Sequence, residues 1–170
     1  MSDRIRRANP QDVAWLGSVE LAAATLFPPG RIPDPGEVTD ASELAEACAN
    51  GLLFVADADG VPVGFATCCV EGEHLHLDEL AVHPDDGRRG LGRRLVTRVI
   101  EEAAARSLAG VSLTTFADLP WNGPFYTSMG FRAPPEPALG DFLREALASE
   151  RARGLTNRVA MIYSIGEERT

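Results

Sequence analysis

A glycine-rich segment joins an apolar, strand-like run to a helix-like run near the middle of the chain. Residues 83–95 read HPDDGRRGLGRRL. Backbone N–H groups at a strand-to-helix turn of this kind are free to bind, and the helix dipole adds partial positive charge there. Five arginines lie in or beside the segment: Arg88, Arg89, Arg93, Arg94 and Arg98. The segment therefore predicts a turn that binds an anion such as a phosphate or pyrophosphate.

Three common phosphate motifs fail on residue type or spacing. A P-loop and the glycine loop of protein kinases both depend on a lysine, but all 16 basic residues of this chain are arginines. The dinucleotide fingerprint GxGxxG fits Gly90 and Gly92, but its third position is Leu95. The spacing that remains is GxxGxG, formed by Gly87, Gly90 and Gly92. We call residues 87–93 the glycine turn.

Composition limits the class of protein and of partner. The 170 residues, 45% hydrophobic and 24% charged, fit a single domain over residues 1–170 with a sizeable core. The net charge is −9 and the sequence pI is about 4.8. Because nucleic-acid binding depends on neutralising phosphates, this balance argues against a nucleic-acid partner. It favours a cationic or amine-bearing partner.

The sequence shows no targeting or membrane segment. No apolar run approaches the roughly 20 residues of a membrane span, and residues 1–7 lack the apolar core of a secretion signal. Cys48, Cys68 and Cys69 have no metal-ligand spacing and are expected in the core. We expect a cytoplasmic protein with no metal site and no membrane partner, and the exclusive use of arginine is typical of a GC-rich bacterial genome.

Hydrophobic periodicity and turn residues predict the element order β-α-α-β-β-β-α-β-α-α-β. Strands are predicted at about 4–8, 52–56, 61–70, 73–82, 111–116 and 156–165. Helices are predicted at about 10–26, 39–49, 91–108 and 140–153, with a short one ending at Gly130. Asn9 and Pro10 are expected to begin the first helix. This order predicts an α/β (α+β) fold with a mixed sheet.

The segment around the glycine turn resembles motif A of the GNAT family of N-acetyltransferases. In that family a strand ending near Val-x-Pro is followed by the pattern (Gln/Arg)xxGx(Gly/Ala). Residues 82–84, VHP, supply the strand end, and Gly90 and Gly92 match the two small positions. The first position departs from the pattern, because Gly87 stands where the family usually has Gln or Arg.

A second segment, WNGPFYTSMGF at residues 121–131, resembles motif B of the same family, in which Tyr-xxx-Gly-Phe closes a short helix. Tyr126, Gly130 and Phe131 match that spacing. The family's asparagine lies about seven residues before the tyrosine, whereas Asn122 lies four before it. We therefore expect Asn122 at the N-cap of this helix, with a pantetheine contact as the second possibility. The resemblance extends over most of the chain.

The resemblance implies a GNAT-like mixed, mostly antiparallel twisted sheet of about six to seven strands flanked by helices. It also implies acetyl-CoA, or another acyl-CoA, as cosubstrate and a primary amine of a small molecule or peptide as acceptor. The pyrophosphate is expected at the glycine turn, at residues Gly87, Arg88, Arg89, Gly90, Leu91, Gly92 and Arg93. The rest of the cofactor is expected at Leu80, Ala81, Val82, Asn122 and Tyr126, where backbone N–H groups of residues 80–82 hold the thioester oxygen. Many family members pair through sheet edges, so a homodimer is possible.

Acyl transfer to an amine needs a base for the amine and an acid for the departing thiolate. Tyr126 is the candidate acid through its match to motif B. Glu79 is the candidate base, because it lies in an otherwise apolar run whose burial raises the pKa of a carboxyl group. Asp78, with His74 and His76, alternates to the opposite face of the strand, so, barring a bulge, Glu79 alone of the two carboxylates is expected to face the site.

The acceptor is expected to contact the first two helices, the loop between them, and Trp121. Glu20 lies on an otherwise apolar helix and is a candidate partner for a cationic substrate, and Phe27 and Ile32 follow it in the loop. Two other functions stay open at this point. One is a non-catalytic sensor that binds acyl-CoA without turning it over, and the other is a phosphate-binding protein that does not recognise CoA.

Overall fold

The computed structural model describes residues 3–166 of the chain. Its strands are β1 (Asp3–Arg7), β2 (Leu53–Ala58), β3 (Val61–Glu71), β4 (His74–Val82), β5 (Gly110–Phe116) and β6 (Arg158–Ser164). Its α-helices are α1 (Val13–Ala24), α2 (Ala41–Ala49), α3 (Leu91–Ala105), α4 (Gly123–Ser128) and α5 (Asp141–Ala152). The order of strands and α-helices along the chain is the predicted one.

The six strands form one sheet in the order β1-β2-β3-β4-β5-β6. Neighbouring strands are antiparallel, except that β4 and β5 run parallel because α3 connects them. This mixed, mostly antiparallel sheet confirms the predicted fold class.

Both faces of the sheet are covered by helices, which the alternation of β2 shows most clearly. Leu53 and Val55 are fully buried on the face that packs against α1 and α2. Phe54 and Ala56 are fully buried on the other face, in the core that includes α3. Because successive side chains of a strand point to opposite faces, β2 contributes to two cores at once. Within residues 3–166, no helix is long and apolar enough to cross a membrane.

The first helix begins three residues later than predicted, at Val13 rather than Pro10. The Asp12 carboxylate accepts a hydrogen bond from the Asn9 N–H at 2.7 Å and two from the Arg6 guanidinium at 2.7 and 3.0 Å. These bonds fix residues 9–12 as a turn, so Asp12 rather than Asn9 stands at the N-cap. The helix also ends at Ala24, two residues before the predicted end.

Strands β4 and β5 separate after a short contact. Their parallel pairing joins only His74, Leu75 and His76 to residues 110–112. Beyond that point the two strands diverge, and the backbone groups of β4 that point toward β5 lose their ladder partners. The opening faces the carboxyl ends of both strands, and it is the place where the cavity described below is found.

Candidate active site

The glycine turn follows β4 through a single turn of 3-10 helix at Pro84–Asp86. Gly90 takes the N-cap position of α3 with φ of +74°, in the left-handed region that glycine adopts without a steric penalty. Arg88 also has a positive φ, +63°, which is uncommon for a residue with a side chain. These two residues turn the chain sharply from the strand into the helix.

The backbone N–H groups of residues 88–93 have no hydrogen-bond acceptor within residues 3–166. The first intrahelical bond at this end of α3 runs from the Arg94 N–H to the Gly90 carbonyl at 3.1 Å. Residues 88–90 are exposed. The glycine turn therefore presents consecutive free donors at the positive end of a 15-residue helix, as an anion site requires.

Most of the neighbouring arginines are already bound to other protein groups. Arg89 pairs with Asp3 at 2.9 Å, and Arg93 donates to the Ser128 hydroxyl at 3.0 Å. Arg94 and Arg98 also have partners, the Asp3 carbonyl and Glu102. Arg88 is exposed and forms no ion pair with any residue of the described range 3–166. The donors that stay free for an anion are thus backbone N–H groups and the side chain of Arg88.

A cavity of about 740 Å³ opens where β4 and β5 separate. Its walls come from both strands, from α1 and the loop after it, from α2 and from the carboxyl end of α5. Charged and hydrogen-bonding groups dominate among the side chains that line it: Glu20, Asp34, Glu37, Thr39, Asp40, Glu43, Asp78, Glu79, Thr114, Thr115, Asn122, Tyr126, Glu150, Arg153 and Arg158. We call this space the central cavity.

A β-bulge in β4 turns two consecutive carboxylates toward the central cavity. Thr67 of β3 pairs with Glu79, but the next residue, Cys68, pairs with Leu77, so that Asp78 is the extra residue. A bulge of this kind breaks the strict alternation of side chains. Both Asp78 and Glu79 line the central cavity. The expectation that only Glu79 faces it applies to a strand without a bulge, and the bulge at Asp78 is the exception to it.

Glu79 is a carboxyl group with no ion-pair partner. No side chain within residues 3–166 donates a hydrogen bond to its carboxylate. Burial, with the negative charge of Glu20 as the next cause, raises the pKa of Glu79 to about 8, and the positive charge of Arg158 offsets part of this rise. A carboxyl group with such a pKa exchanges protons near neutral pH.

Tyr126 is 6% exposed and its ring lies between those of Phe125 and Phe131, with centroid distances of 5.0 and 5.4 Å. It also lines the central cavity, and no residue in the described part of the chain hydrogen-bonds to its hydroxyl. Burial first, and the charge of Glu79 second, raise the pKa of Tyr126 well above its ordinary value. The hydroxyl therefore stays protonated at neutral pH and can donate a hydrogen bond into the central cavity.

Comparison with known proteins identifies the family. A model of the acetyltransferase (GNAT) family matches residues 20–131, which is more than half of the chain and includes β4, the glycine turn and Tyr126. The chain belongs to the GNAT family of acetyltransferases.

A curated relative of this GNAT protein is the mycothiol acetyltransferase of Clavibacter michiganensis. The two are 42% identical over 67 residues, which are 39% of this chain and 22% of that protein. The matched segment spans 22% of the length of this relative, and the match to a second curated relative spans 38% of that protein.

Solved structures with the same fold include two that contain coenzyme A. The PaiA N-acetyltransferase of Thermoplasma acidophilum, in complex with coenzyme A, has a TM-score of 0.74 at 16% identity; the match covers 96% of this chain and 99% of that one. N-acetylglutamate synthase of Neisseria gonorrhoeae, in complex with coenzyme A and N-acetylglutamate, also has a TM-score of 0.74, at 17% identity, over 98% of this chain and 36% of that one. Identities this low show a shared fold.

The predicted acceptor-binding residues of this GNAT domain lie at different depths. Glu20 and Phe27 line the central cavity, as does Ile32. The Glu20 carboxylate accepts hydrogen bonds from the Thr39 N–H at 2.7 Å and the Thr39 hydroxyl at 2.9 Å, which fixes the loop before α2. Trp121 lies outside the cavity wall, 43% exposed, with its ring edge against Phe27.

The predicted cofactor residues next to the cavity also differ in their surroundings. Leu80 lines the central cavity, Ala81 is buried against the α1 and α2 core, and Val82 packs into the α3 core. Asn122 occupies the N-cap position of α4, but its side chain makes no capping bond. Its Oδ1 is buried without a hydrogen-bond partner and the residue lines the cavity. A buried acceptor of this kind has a free place for a donor.

Sequence reasoning missed an ion pair in the cavity wall. Arg158 donates to Glu150 at 2.9 Å, Thr114 donates to the same carboxylate oxygen at 2.5 Å, and the Arg158 guanidinium lies 4.6 Å from the centre of the Phe116 ring. Glu150 and Arg158 are separated by the turn between α5 and β6. Because one residue belongs to a helix and the other to a strand, no single periodicity relates them, and no sequence signal pairs them.

The histidines of β4 lie outside the wall of the central cavity. His76 is buried, its Nδ1 is 2.9 Å from the Ser112 hydroxyl, and its ring packs edge-on against Phe142. Burial lowers the pKa of His76 to about 4, so the ring is uncharged at neutral pH. His74 begins β4 at the far end of the parallel pairing. Among residues 3–166, no three His, Cys, Asp or Glu side chains come together as a metal site.

Proposed function

We propose that this GNAT protein transfers an acetyl group from acetyl-CoA to a primary amine, with Glu79 as general base and Tyr126 as general acid. One observation carries the proposal. A carboxyl group with a raised pKa and a protonated hydroxyl, neither bound to another side chain, line one cavity at the separation of β4 and β5. Groups left without partners beside a cavity are candidates for binding and chemistry.

The cofactor is placed by the glycine turn. The free N–H groups of residues 88–93 bind the pyrophosphate, and Arg88 adds a positive charge. Gly87 offers no side chain where the family pattern has Gln or Arg, so the backbone supplies most of the contacts. The pantetheine arm then runs between β4 and β5, where unpaired strand groups and the Asn122 Oδ1 are available as partners.

Glu79 prepares the amine. An amine reaches the central cavity mainly as an ammonium ion, which has no lone pair for attack. The Glu79 carboxylate accepts one proton from it, and the neutral nitrogen attacks the thioester carbon. A backbone N–H of residues 80–82 stabilises the oxygen as it becomes negative.

Tyr126 assists the leaving group. As the carbon–sulfur bond breaks, the hydroxyl donates its proton to the sulfur, which leaves as a thiol. The tyrosinate then recovers a proton from the acetylated nitrogen. One proton in total, the one held by Glu79, passes to solvent. The reaction therefore consumes an ammonium ion and acetyl-CoA and yields an amide, free CoA and a proton.

The experiment is to incubate the protein with acetyl-CoA and a library of amines and to measure free CoA thiol. We expect amine-dependent release, and the Tyr126→Phe variant should lower kcat by about 10- to 100-fold with unchanged CoA affinity, since the hydroxyl acts on the leaving sulfur. Trp15→Phe, at an exposed position of α1 outside the cavity wall, is the aromatic control.

Two results would contradict this function. CoA binding without thiol release for any amine would indicate a sensor of acyl-CoA. Absence of a thermal shift with CoA would indicate that the glycine turn binds a different phosphate compound.

A further inference from the structure

The wall of the central cavity is strongly acidic. Eight carboxylates and two arginines line it: Glu20, Asp34, Glu37, Asp40, Glu43, Asp78, Glu79, Glu150, Arg153 and Arg158. Arg158 and Glu150 neutralise each other in an ion pair at 2.9 Å. Seven carboxyl groups then remain against Arg153 alone, and of these Glu79 mostly holds a proton at neutral pH. A space with low-dielectric walls and one excess sign of charge concentrates ligands of the opposite sign.

Two pairs of these carboxylates repel each other. The charge of Glu20 raises the pKa of Glu79, and the charge of Glu43 raises that of Asp78, in each case in addition to burial. No arginine in residues 3–166 forms an ion pair with any of the four. His76 lies 3.9 Å from Asp78 but is uncharged at neutral pH. A cation placed beside either pair would relieve the repulsion.

An independent observation shows that the central cavity has an unfilled hydrogen-bonding place. The Oδ1 of Asn122 is buried without a hydrogen-bond partner in residues 3–166, and Asn122 lines the cavity. Buried polar atoms are nearly always hydrogen-bonded in folded proteins. The missing partner is a hydrogen-bond donor that enters the cavity.

We infer that the acceptor is a primary amine that carries a second cationic nitrogen, as short diamines and polyamines do. The reacting nitrogen lies beside Glu79 and Glu20, and the second nitrogen lies beside Asp78 and Glu43. This inference rests on the proposed function, because it assigns the acceptor of the same site. An acceptor with a carboxylate in place of the second nitrogen adds repulsion instead of removing it.

The test compares three acceptors with the same four-carbon chain: butylamine, putrescine and γ-aminobutyrate. With saturating acetyl-CoA, we expect kcat/KM for putrescine to exceed that for butylamine by about tenfold, the effect of two partly exposed charge contacts. We expect γ-aminobutyrate to be the poorest of the three. Equal values for putrescine and butylamine, or a preference for γ-aminobutyrate, would overturn the inference.

Variants locate the second nitrogen. Glu43→Gln and Asp78→Asn should each lower the ratio of putrescine to butylamine kcat/KM by about threefold to fivefold, since each removes one charge contact. Glu101→Gln changes the charge equally at an exposed position of α3 outside the cavity wall, and should leave the ratio unchanged. A ratio that falls equally in all three variants would show an effect of overall charge and would refute the assignment.

A binding measurement separates this inference from the proposed function. Calorimetric titration of the CoA-bound protein with putrescine and butylamine needs no turnover. If no amine is acetylated but putrescine binds more tightly, the catalytic proposal fails, while the site for a second cationic nitrogen stands. If butylamine binds as tightly as putrescine, the acceptor class fails, whatever the activity.

Discussion

Two glutamates, the buried Glu102 in α3 and the half-buried Glu79 in β4, have opposite properties. Glu102 is 3% exposed and bonds to Arg7 at 2.7 Å, Arg106 at 2.8 Å and Arg98 at 3.1 Å. Burial alone would raise its pKa, but the hydrogen bonds from Arg106 and Arg7 outweigh burial, and the pKa lies below its usual value. Glu79 has no ion-pair partner, and its pKa rises to about 8.

The difference distinguishes a carboxylate that stabilises the fold from one available for chemistry. Glu102 joins β1 and α3 and is permanently charged at neutral pH. Glu79 faces a cavity, and no ion pair compensates for its withdrawal from water. A fold tolerates such a group at a cost in stability, and that cost is commonest at functional sites.

The largest expected effect is on catalysis. Glu79→Gln should lower kcat/KM by about 10²- to 10⁴-fold, because the variant cannot accept a proton from the amine. In the unmodified protein, kcat/KM should rise with pH through a midpoint near 8, as Glu79 loses its proton. The measurement is the pH dependence of thiol release, with CoA affinity as the control. A variant that keeps both its rate and this rise would exclude Glu79 as the base.

The next effect is on stability. Glu102→Gln should lower the free energy of unfolding by about 2 kcal/mol, less than for a fully buried pair because its arginine partners are partly exposed. Since the folded-state pKa is depressed, the loss is complete above the unfolded-state pKa and shrinks as pH falls below it. Urea unfolding at pH 7 measures the loss of stability, and urea unfolding at pH 3 measures how far the loss shrinks.

The neighbouring exposed residue provides the control for that effect. Glu101→Gln should change stability by less than about 0.5 kcal/mol, because its side chain is exposed. Equal losses for Glu101→Gln and Glu102→Gln would mean that the arginine contacts do not stabilise the fold.

The smallest effect has the opposite sign. Glu79→Gln should raise the free energy of unfolding at pH 8 by about 1–2 kcal/mol, and much less at pH 5. The pKa of Glu79 is near 8 in the folded state and near 4.5 in the unfolded chain, so stability falls as pH rises between these values. Glu79→Gln cannot ionise at this position, so its free energy of unfolding does not fall in this way. Urea unfolding at both pH values tests it, and a variant that is less stable at pH 8 would contradict it.

The two glutamates also show what sequence reasoning can reach. Glu79 stands in an apolar run, and that local contrast is enough to predict a withdrawn carboxyl group. Glu102 lies on a helix among alanines and beside Glu101, with its partner Arg7 95 positions away. No periodicity connects residues so distant, so the contact of Glu102 with Arg7, unlike its two i,i+4 ion pairs, is visible only after folding.

The same limit applies at the cavity. The sequence predicts β4, but not the bulge at Asp78, because a bulge depends on the register with β3. It predicts Glu20 as a cavity residue, but not that Thr39 bonds to its carboxylate across the loop. The ion pair of Glu150 and Arg158 gave no sequence signal for the same reason.

The sequence by itself determined the order of the elements, the sheet class and the glycine turn, because periodicity, turn residues and the spacing of short motifs are local properties of a chain. Only the tertiary structure decided which charges meet. The separation of β4 and β5 brings Glu79 and Tyr126 to one cavity, and the bulge adds Asp78 to its wall. Interactions between charges depend on distance and burial, and both are set by packing between segments that are far apart in the chain.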